Sequence, residues 1–150
     1  MTTKLRHIVR EKVKKVRLVM DTNIVVSAFI NPNGKPAKIL RMVLSRKMEL
    51  CHNSAILSEY EGVMLRQKFK EKIDSGNVRQ FIDHIRSLGI SFSPLPSRTI
   101  LTDEADQIFY DTAVGSGSIL ISGNLKHFPK KPFIVSPADF LERLESGTAN

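Results

Sequence analysis

Apolar positions in this chain fall into two kinds of block. Short, mostly continuous apolar runs, Val16–Met20, the centre of "MELCHN", "SILIS" and "PFIV", have the length and content of strands buried on both faces. Longer segments repeat their apolar positions at helical spacing. A short helix near Ile24–Phe29 follows the first strand. After the turn "NPNGKP", Pro36 sits in the first turn of a helix running through "AKILRMVLSRK", with Ile39, Leu40, Val43 and Leu44 on one face. Ser54 is the expected N-cap of "AILSEYEGVMLRQ". "FKEKI" and "GNVRQFIDHIRSL" read as further helices, and "ISFSPL" as a strand candidate weakened by its prolines. The polar "SRTILTDE" leads into the helix "ADQIFYDTAVGSG", and Ser136-Pro137 opens a last helix, "ADFLERLE".

Strands that alternate with helices predict right-handed crossovers and a mainly parallel sheet of four to five strands, with helices on both faces. In open sheets of this α/β class, ligands bind beyond the carboxyl ends of the strands. Asp21 ends the first predicted strand, between two apolar runs, and Asn124 follows the end of "SILIS". A carboxylate held so close to the core suits a site better than a surface loop.

Composition narrows the setting. At 150 residues the chain suits one domain, and it shows no repeat, low-complexity segment or dividing linker. Its one cysteine, Cys51, excludes an internal disulfide and suits a reducing compartment. No apolar stretch reaches the roughly 20 residues of a membrane span, and the N-terminus has no signal-peptide core, so the expected location is the cytoplasm. Residues 1–17 carry seven Lys/Arg and one Glu, which is +6 of the formal +8. Residues 1–15 therefore read as a basic arm, either a solvated, disordered leader or a phosphate-neutralising attachment, preceding a folded unit over 16–150.

Carboxylates gathered at strand ends need a counterweight. Two of them about 5 Å apart repel by roughly 3 kcal/mol at an effective dielectric near 20. A cluster therefore holds protons or binds a hard cation, and oxygen-only donors favour Mg²⁺ or Mn²⁺. Cys51 and the four histidines show no zinc-ligand spacing.

The segments "VMDTNIVVSAF", "SEYEGVMLRQKF", "DEADQIFYDTAVGSGSILISGN" and "GNLKHFP" follow one another in an order and spacing that resemble the PIN-domain nucleases. More narrowly, they resemble the VapC-like toxin components of bacterial toxin–antitoxin systems. The resemblance covers about residues 16 to 140 and implies a single PIN-like domain with an acidic pocket at the carboxyl edge of its sheet. It implies metal-dependent cleavage of single-stranded RNA with one or two Mg²⁺ or Mn²⁺ ions, an antitoxin partner and a homodimer. Carried over by position, the pocket acids are Asp21, Glu59 and Asp106, serving catalysis and metal binding.

Each has a plainer reading beside that one. Thr22 and Asn23 would orient Asp21 or its water, yet Asn23 also suits the N-cap of the next helix. Glu59 and Glu61 flank the apolar face of Ile56, Leu57, Tyr60, Val63 and Met64 almost symmetrically, and only motif position selects Glu59. Asp103 reads as an N-cap, which puts Asp106 in a first turn where acids favour the helix dipole. Asp111 lies five residues past Asp106, about 140° round the helix, and is a secondary candidate. The chain departs from the family pattern in "SGN", where many relatives place an aspartate and this one has Asn124. That neutral oxygen donor predicts one ion held well and a second held weakly. Ser122 would fix Asn124 or a water, and His127 would donate a proton or meet a phosphate. Lys35, Lys126, Lys130 and Lys131 are candidate contacts to the RNA backbone, each otherwise a solvated charge.

Two other classes compete. A strand-end Asp also serves Mg²⁺-dependent phosphatases and receiver domains, but the phosphatase's second acid would fall on Asn23, and a receiver's acidic pair and late lysine are absent. The stronger rival is an inactive PIN-fold module that binds RNA or a partner protein, with Asn124 as the reason.

Overall fold

β1 (Arg17–Met20) forms the centre of the sheet because three consecutive side chains, Leu18, Val19 and Met20, have no exposed surface at all. Such a strand is covered on both faces, and each buried side chain contributes about 1.5–3 kcal/mol. A computed structural model of the chain describes residues 15–147. The arm predicted over residues 1–15 lies outside the described residues except for Lys15.

The elements run β1, α1 (Thr22–Ile30), α2 (Lys35–Leu44), β2 (Glu49–His52), α3 (Ser54–Met64), α4 (Ser75–Leu88), β3 (Ile90–Ser91), α5 (Glu104–Ser116), β4 (Ile119–Ile121), β5 (Ile134–Val135) and α6 (Pro137–Ser146). The five strands are all parallel in the order β3-β2-β1-β4-β5. Leu18 pairs with Leu50 on one side and with Ile119 on the other. From β1 the chain steps outward to β2 and β3, then crosses back to β4. Right-handed connections therefore put α1–α4 and α5 on opposite faces. The reversal leaves a crevice between the carboxyl ends of β1 and β4, where an open sheet binds its ligands.

The helix starts follow from side-chain caps. Asp74, Asp103 and Ser136 each accept a hydrogen bond from the first turn of α4, α5 and α6. Gly117 and Gly147 end α5 and α6 in the left-handed region, at φ 67° and 76°.

Several boundaries differ from the sequence reading. The cap of α3 is Asn53, whose Oδ1 accepts from the Ile56 amide at 2.9 Å, so Ser54 is the first helical residue and not the cap. Asn23 does not cap α1; Asp21 does, accepting from the Ile24 amide at 3.1 Å. "FKEKI" is not an α-helix. Only the 3-10 turn Gln67–Phe69 forms there, because Asp74 starts α4 five residues later and a segment so short cannot recover the cost of nucleation. α2 stops at Leu44, before Arg46 turns into the left-handed region at φ 65°. β3 keeps two residues of "ISFSPL", since Pro94 and Pro96 beyond it offer no ladder donors.

Candidate functional site

Asp21 leaves β1 with its backbone still in the ladder, its amide donating to Ile121 O at 3.1 Å. Its carboxylate is 5 % exposed and held at both oxygens. Oδ1 caps α1, and Oδ2 accepts from the Ser122 hydroxyl. The same Ser122 oxygen accepts the Asn124 amide at 2.9 Å. One serine after β4 thus ties the end of β1 to the loop that carries Asn124. Burial raises the Asp21 carboxyl from the ordinary 3.8 to about 6; the bonds from Ser122 and Ile24 oppose the rise, and the charge of Asp106 adds to it.

Two helices bring further acids to this crevice. Tyr60 of α3 donates its hydroxyl to the carbonyl of Met20, the last residue of β1, and burial pushes that phenol far above its ordinary range. Its ring stacks on Phe109 of α5, with centroids 6.0 Å apart and 20° between planes. Glu59 is the neighbour of Tyr60, and Asp106 lies one turn before Phe109, so the aromatic pair sets where both acids sit. Asp103 caps α5, accepting from the amides of Ala105 at 2.8 Å and Asp106 at 3.1 Å. His127 Nδ1 lies 3.1 Å from Asp106 Oδ2. Burial and the nearby Asp103 raise the Asp106 carboxyl, while His127 lowers it.

Asp21, Thr22, Asn23, Glu59, Asp103, Asp106, Asn124 and His127 all line one pocket of about 180 Å³. Ser122 stands behind it through its bond to Asp21. Asn124 and His127 face the pocket together because residues three apart eclipse on a 3-10 turn, here Leu125–His127. Leu125 and Lys126 of that turn instead line a separate groove of about 730 Å³, with Lys130 and Lys131 at its rim and Phe128, Pro129, Pro132 and Ile134 in its walls. Lys35 is exposed at the start of α2 and lines neither space.

Asp111 is the candidate acid that the structure takes elsewhere. Its Oδ1 accepts from the Ser97 amide at 3.3 Å and from Gln107 Nε2 at 2.9 Å, which pins the loop before α5. The 140° turn from Asp106 is the cause. Arg66 and Val63 line the pocket and were missed, although Glu59, Val63 and Arg66 repeat at i, i+4 and i+7, the spacing of one helix face. Arg66 brings the pocket a cation beside its carboxylates.

The donor set is made of oxygen, with carboxylates whose proton affinity is raised by burial and by one another, and this chemistry fits a hard divalent cation. The buried Thr22 Oγ1 has no hydrogen-bond partner among the described residues, which leaves an unused oxygen in the pocket wall. Among the described residues, no three acidic, histidine or cysteine side chains stand close enough to enclose an ion as placed.

A parallel α/β domain with acids at its topological switch point defines the class of protein. The family model for the PIN domain matches residues 17–126, and the chain belongs to that family. A protein of Methanocaldococcus jannaschii, MJ1680, is 31 % identical over 115 residues, which is 76 % of this chain and 74 % of that one. Two solved structures share the fold. One is PAE2754 from Pyrobaculum aerophilum (TM-score 0.59, 14 % identity, covering 88 % of this chain and 90 % of that one). The other is VapBC2 from Rickettsia felis, bound to a DNA fragment from their promoter (TM-score 0.54, 18 % identity, covering 81 % and 97 %).

Proposed function

We propose that this chain is a metal-dependent endoribonuclease that hydrolyses phosphodiester bonds of single-stranded RNA. We further propose that it is the toxin of a toxin–antitoxin pair, acting as a homodimer in the cytoplasm and held in check by a small antitoxin protein. The observation that carries the reading is the gathering of Asp21, Glu59, Asp106 and Asn124, from four separate segments, into one pocket at the switch point of a PIN domain. The similarity to VapBC2 supports the toxin–antitoxin setting. Among the described residues no helix is long and apolar enough to cross a membrane.

Asp21, Asp106 and Glu59 would hold Mg²⁺ or Mn²⁺, with Asn124 as a neutral oxygen donor, and the bound ion would supply an activated water and neutralise charge on the phosphate. The remaining duties belong to side chains. Ser122 keeps the Asp21 carboxylate aimed and favours its ionised form. His127 steadies Asp106 and presents a half-exposed imidazole, 52 % accessible, as a proton donor at the rim. Arg66 meets the phosphate of the entering strand, and Lys126, Lys130 and Lys131 guide its backbone along the adjoining groove.

A second reading is favoured by two features: the neutral Asn124 and an Asp21 whose oxygens are both already hydrogen-bonded. In it the domain binds RNA or a partner protein without turnover. Cleavage of a labelled mixed-sequence single-stranded RNA, with Mn²⁺ and with EDTA, distinguishes the two. The nuclease reading expects metal-dependent cutting that disappears in a folded Asp21→Asn variant. Cutting that survives the substitution contradicts the site, and RNA retention with no cutting establishes the binding module.

A further inference from the structure

A second cleft lies on the other side of α3 from the acid pocket, between α3 and α4 at the carboxyl ends of β2 and β3. Its volume is about 410 Å³, and His52, Ser54, Leu57, Glu61, Ile82 and Arg86 are among its lining residues. His52, the last residue of β2, is 3 % exposed, and neither of its ring nitrogens has a hydrogen-bond partner among the described residues. Leaving a buried polar group unpaired costs about 1–3 kcal/mol, and an imidazole here bears the cost at a donor and at an acceptor. Gly89 packs against both the strand and this ring: a Cβ there would come within 2.5 Å of Leu50 O and 2.7 Å of His52 Cδ2. A phenylalanine would fill the same slot without the penalty, so packing alone does not explain a histidine.

The cleft also presents donors without a use in the fold. The first intrahelical bond of α3 runs from the Leu57 amide to Asn53 O, and the Ile56 amide is taken by the Asn53 side chain. The amides of Ser54 and Ala55 precede both and have no intrahelical partner, and of the two residues Ser54, with its hydroxyl, lines the cleft. Arg86 stands on the facing helix and lines the cleft, with one nitrogen bonded to Asp83 at 2.8 Å. Burial, and after it the charge of Arg86, lowers the His52 imidazole from the ordinary histidine range.

We infer that this cleft binds the phosphate group of a small phosphate monoester, held by the first amides of α3, Ser54, Arg86 and the buried His52. The volume exceeds that of a phosphate alone. Leu57 and Ile82 offer an apolar wall for an attached ring, and Glu61, seven residues or about 10 Å along α3 from Ser54, is placed for its hydroxyls. The inference does not rest on the nuclease reading, because no residue of the acid pocket takes part.

The test is a titration of the full chain, kept in EDTA so that metal-bound phosphate plays no part, followed by NMR of the backbone amides and the imidazole nitrogens. The probes are inorganic phosphate, adenosine 5′-monophosphate and adenosine. The expected result is saturable shifts at Ser54, Ala55 and the His52 ring with both phosphates and none with adenosine. Arg86→Gln, an exposed substitution with little risk to folding, should weaken binding about tenfold or more, the loss of one charge-assisted bond. A retained cleft with no shift at His52, equal binding of adenosine and the nucleotide, or unaltered affinity in Arg86→Gln would each overturn the proposal. The same shifts in a protein that fails to cut RNA in a separate assay with Mn²⁺ and no EDTA would count against the nuclease reading alone.

Discussion

Replacing Asp21 by asparagine should abolish cleavage and yet make the protein more stable near neutral pH. Burial lifts the folded carboxyl from 3.8 to about 6. Between those values the unfolded chain has lost a proton that the folded chain still holds, so stability falls as pH rises through that window. Above it, the whole difference is lost, about 3 kcal/mol at about 1.4 kcal/mol per pH unit. Asparagine carries no charge to desolvate and caps a helix as well as aspartate does, so the bond from Ile24 survives. With its one oxygen still accepting from Ile24, the amide NH2 faces Ser122 and donates to its hydroxyl oxygen, a reversed and neutral bond at a cost of about 1 kcal/mol. Net stabilisation should therefore be about 2 kcal/mol at about pH 7.5, shrinking to nothing or reversing near pH 4. Urea unfolding of both proteins across that range, without divalent metal, measures it. An Asp21→Asn protein that is less stable at neutral pH, or a difference that does not change with pH, would refute the reasoning. Loss of activity with a gain in stability is what a site built against its own folding should show.

Other outcomes follow from the same geometry. Ser122→Ala leaves both the Asn124 amide and Asp21 Oδ2 short of a partner, so unfolding should cost about 1–3 kcal/mol less. It should also push the acid limb of the pH–kcat/KM profile upward, because the Ser122 bond lowers the Asp21 pKa. Tyr60→Phe strips the Met20 carbonyl of its donor; denaturation should register about 1–3 kcal/mol, and kcat should fall as Glu59 loses its anchor. Arg66→Gln, at an exposed position, should leave the melting curve in place and raise KM for RNA. Gly89→Ala should destabilise by about 1–3 kcal/mol, since its Cβ would meet Leu50 O at 2.5 Å, and thermal melting checks this.

The sheet was legible because buried parallel strands are plain apolar runs, and Asp21 and Asn124 stood out as polar residues at their ends. The capping of α1 was misjudged for a physical reason. Asp21 serves as both cap and pocket acid, and the sequence offers two neighbouring residues, Asp21 and Asn23, with equal capping chemistry. Glu59 and Glu61 were indistinguishable by periodicity because they stand on opposite flanks of the α3 apolar face. The structure puts Glu59 in the acid pocket and Glu61 in the phosphate cleft proposed above. Arg66 was readable by continuing the helical spacing past Val63. His52 was not, since a histidine at the end of an apolar strand says nothing about whether its nitrogens are paired. The Lys126, Lys130 and Lys131 groove depends on a loop whose path no periodicity predicts.

The central claim is that the acids at the switch point form a cation site. Its most direct test is Mn²⁺ binding to the purified chain, followed by electron paramagnetic resonance, with Asp21→Asn and Asp106→Asn as controls. The account predicts at least one Mn²⁺ bound per chain by the wild type and an affinity at least about tenfold lower in each variant, equivalent to about 1.4 kcal/mol, with folding intact. Wild-type protein that takes up no Mn²⁺, or variants that bind it equally well, would contradict the claim.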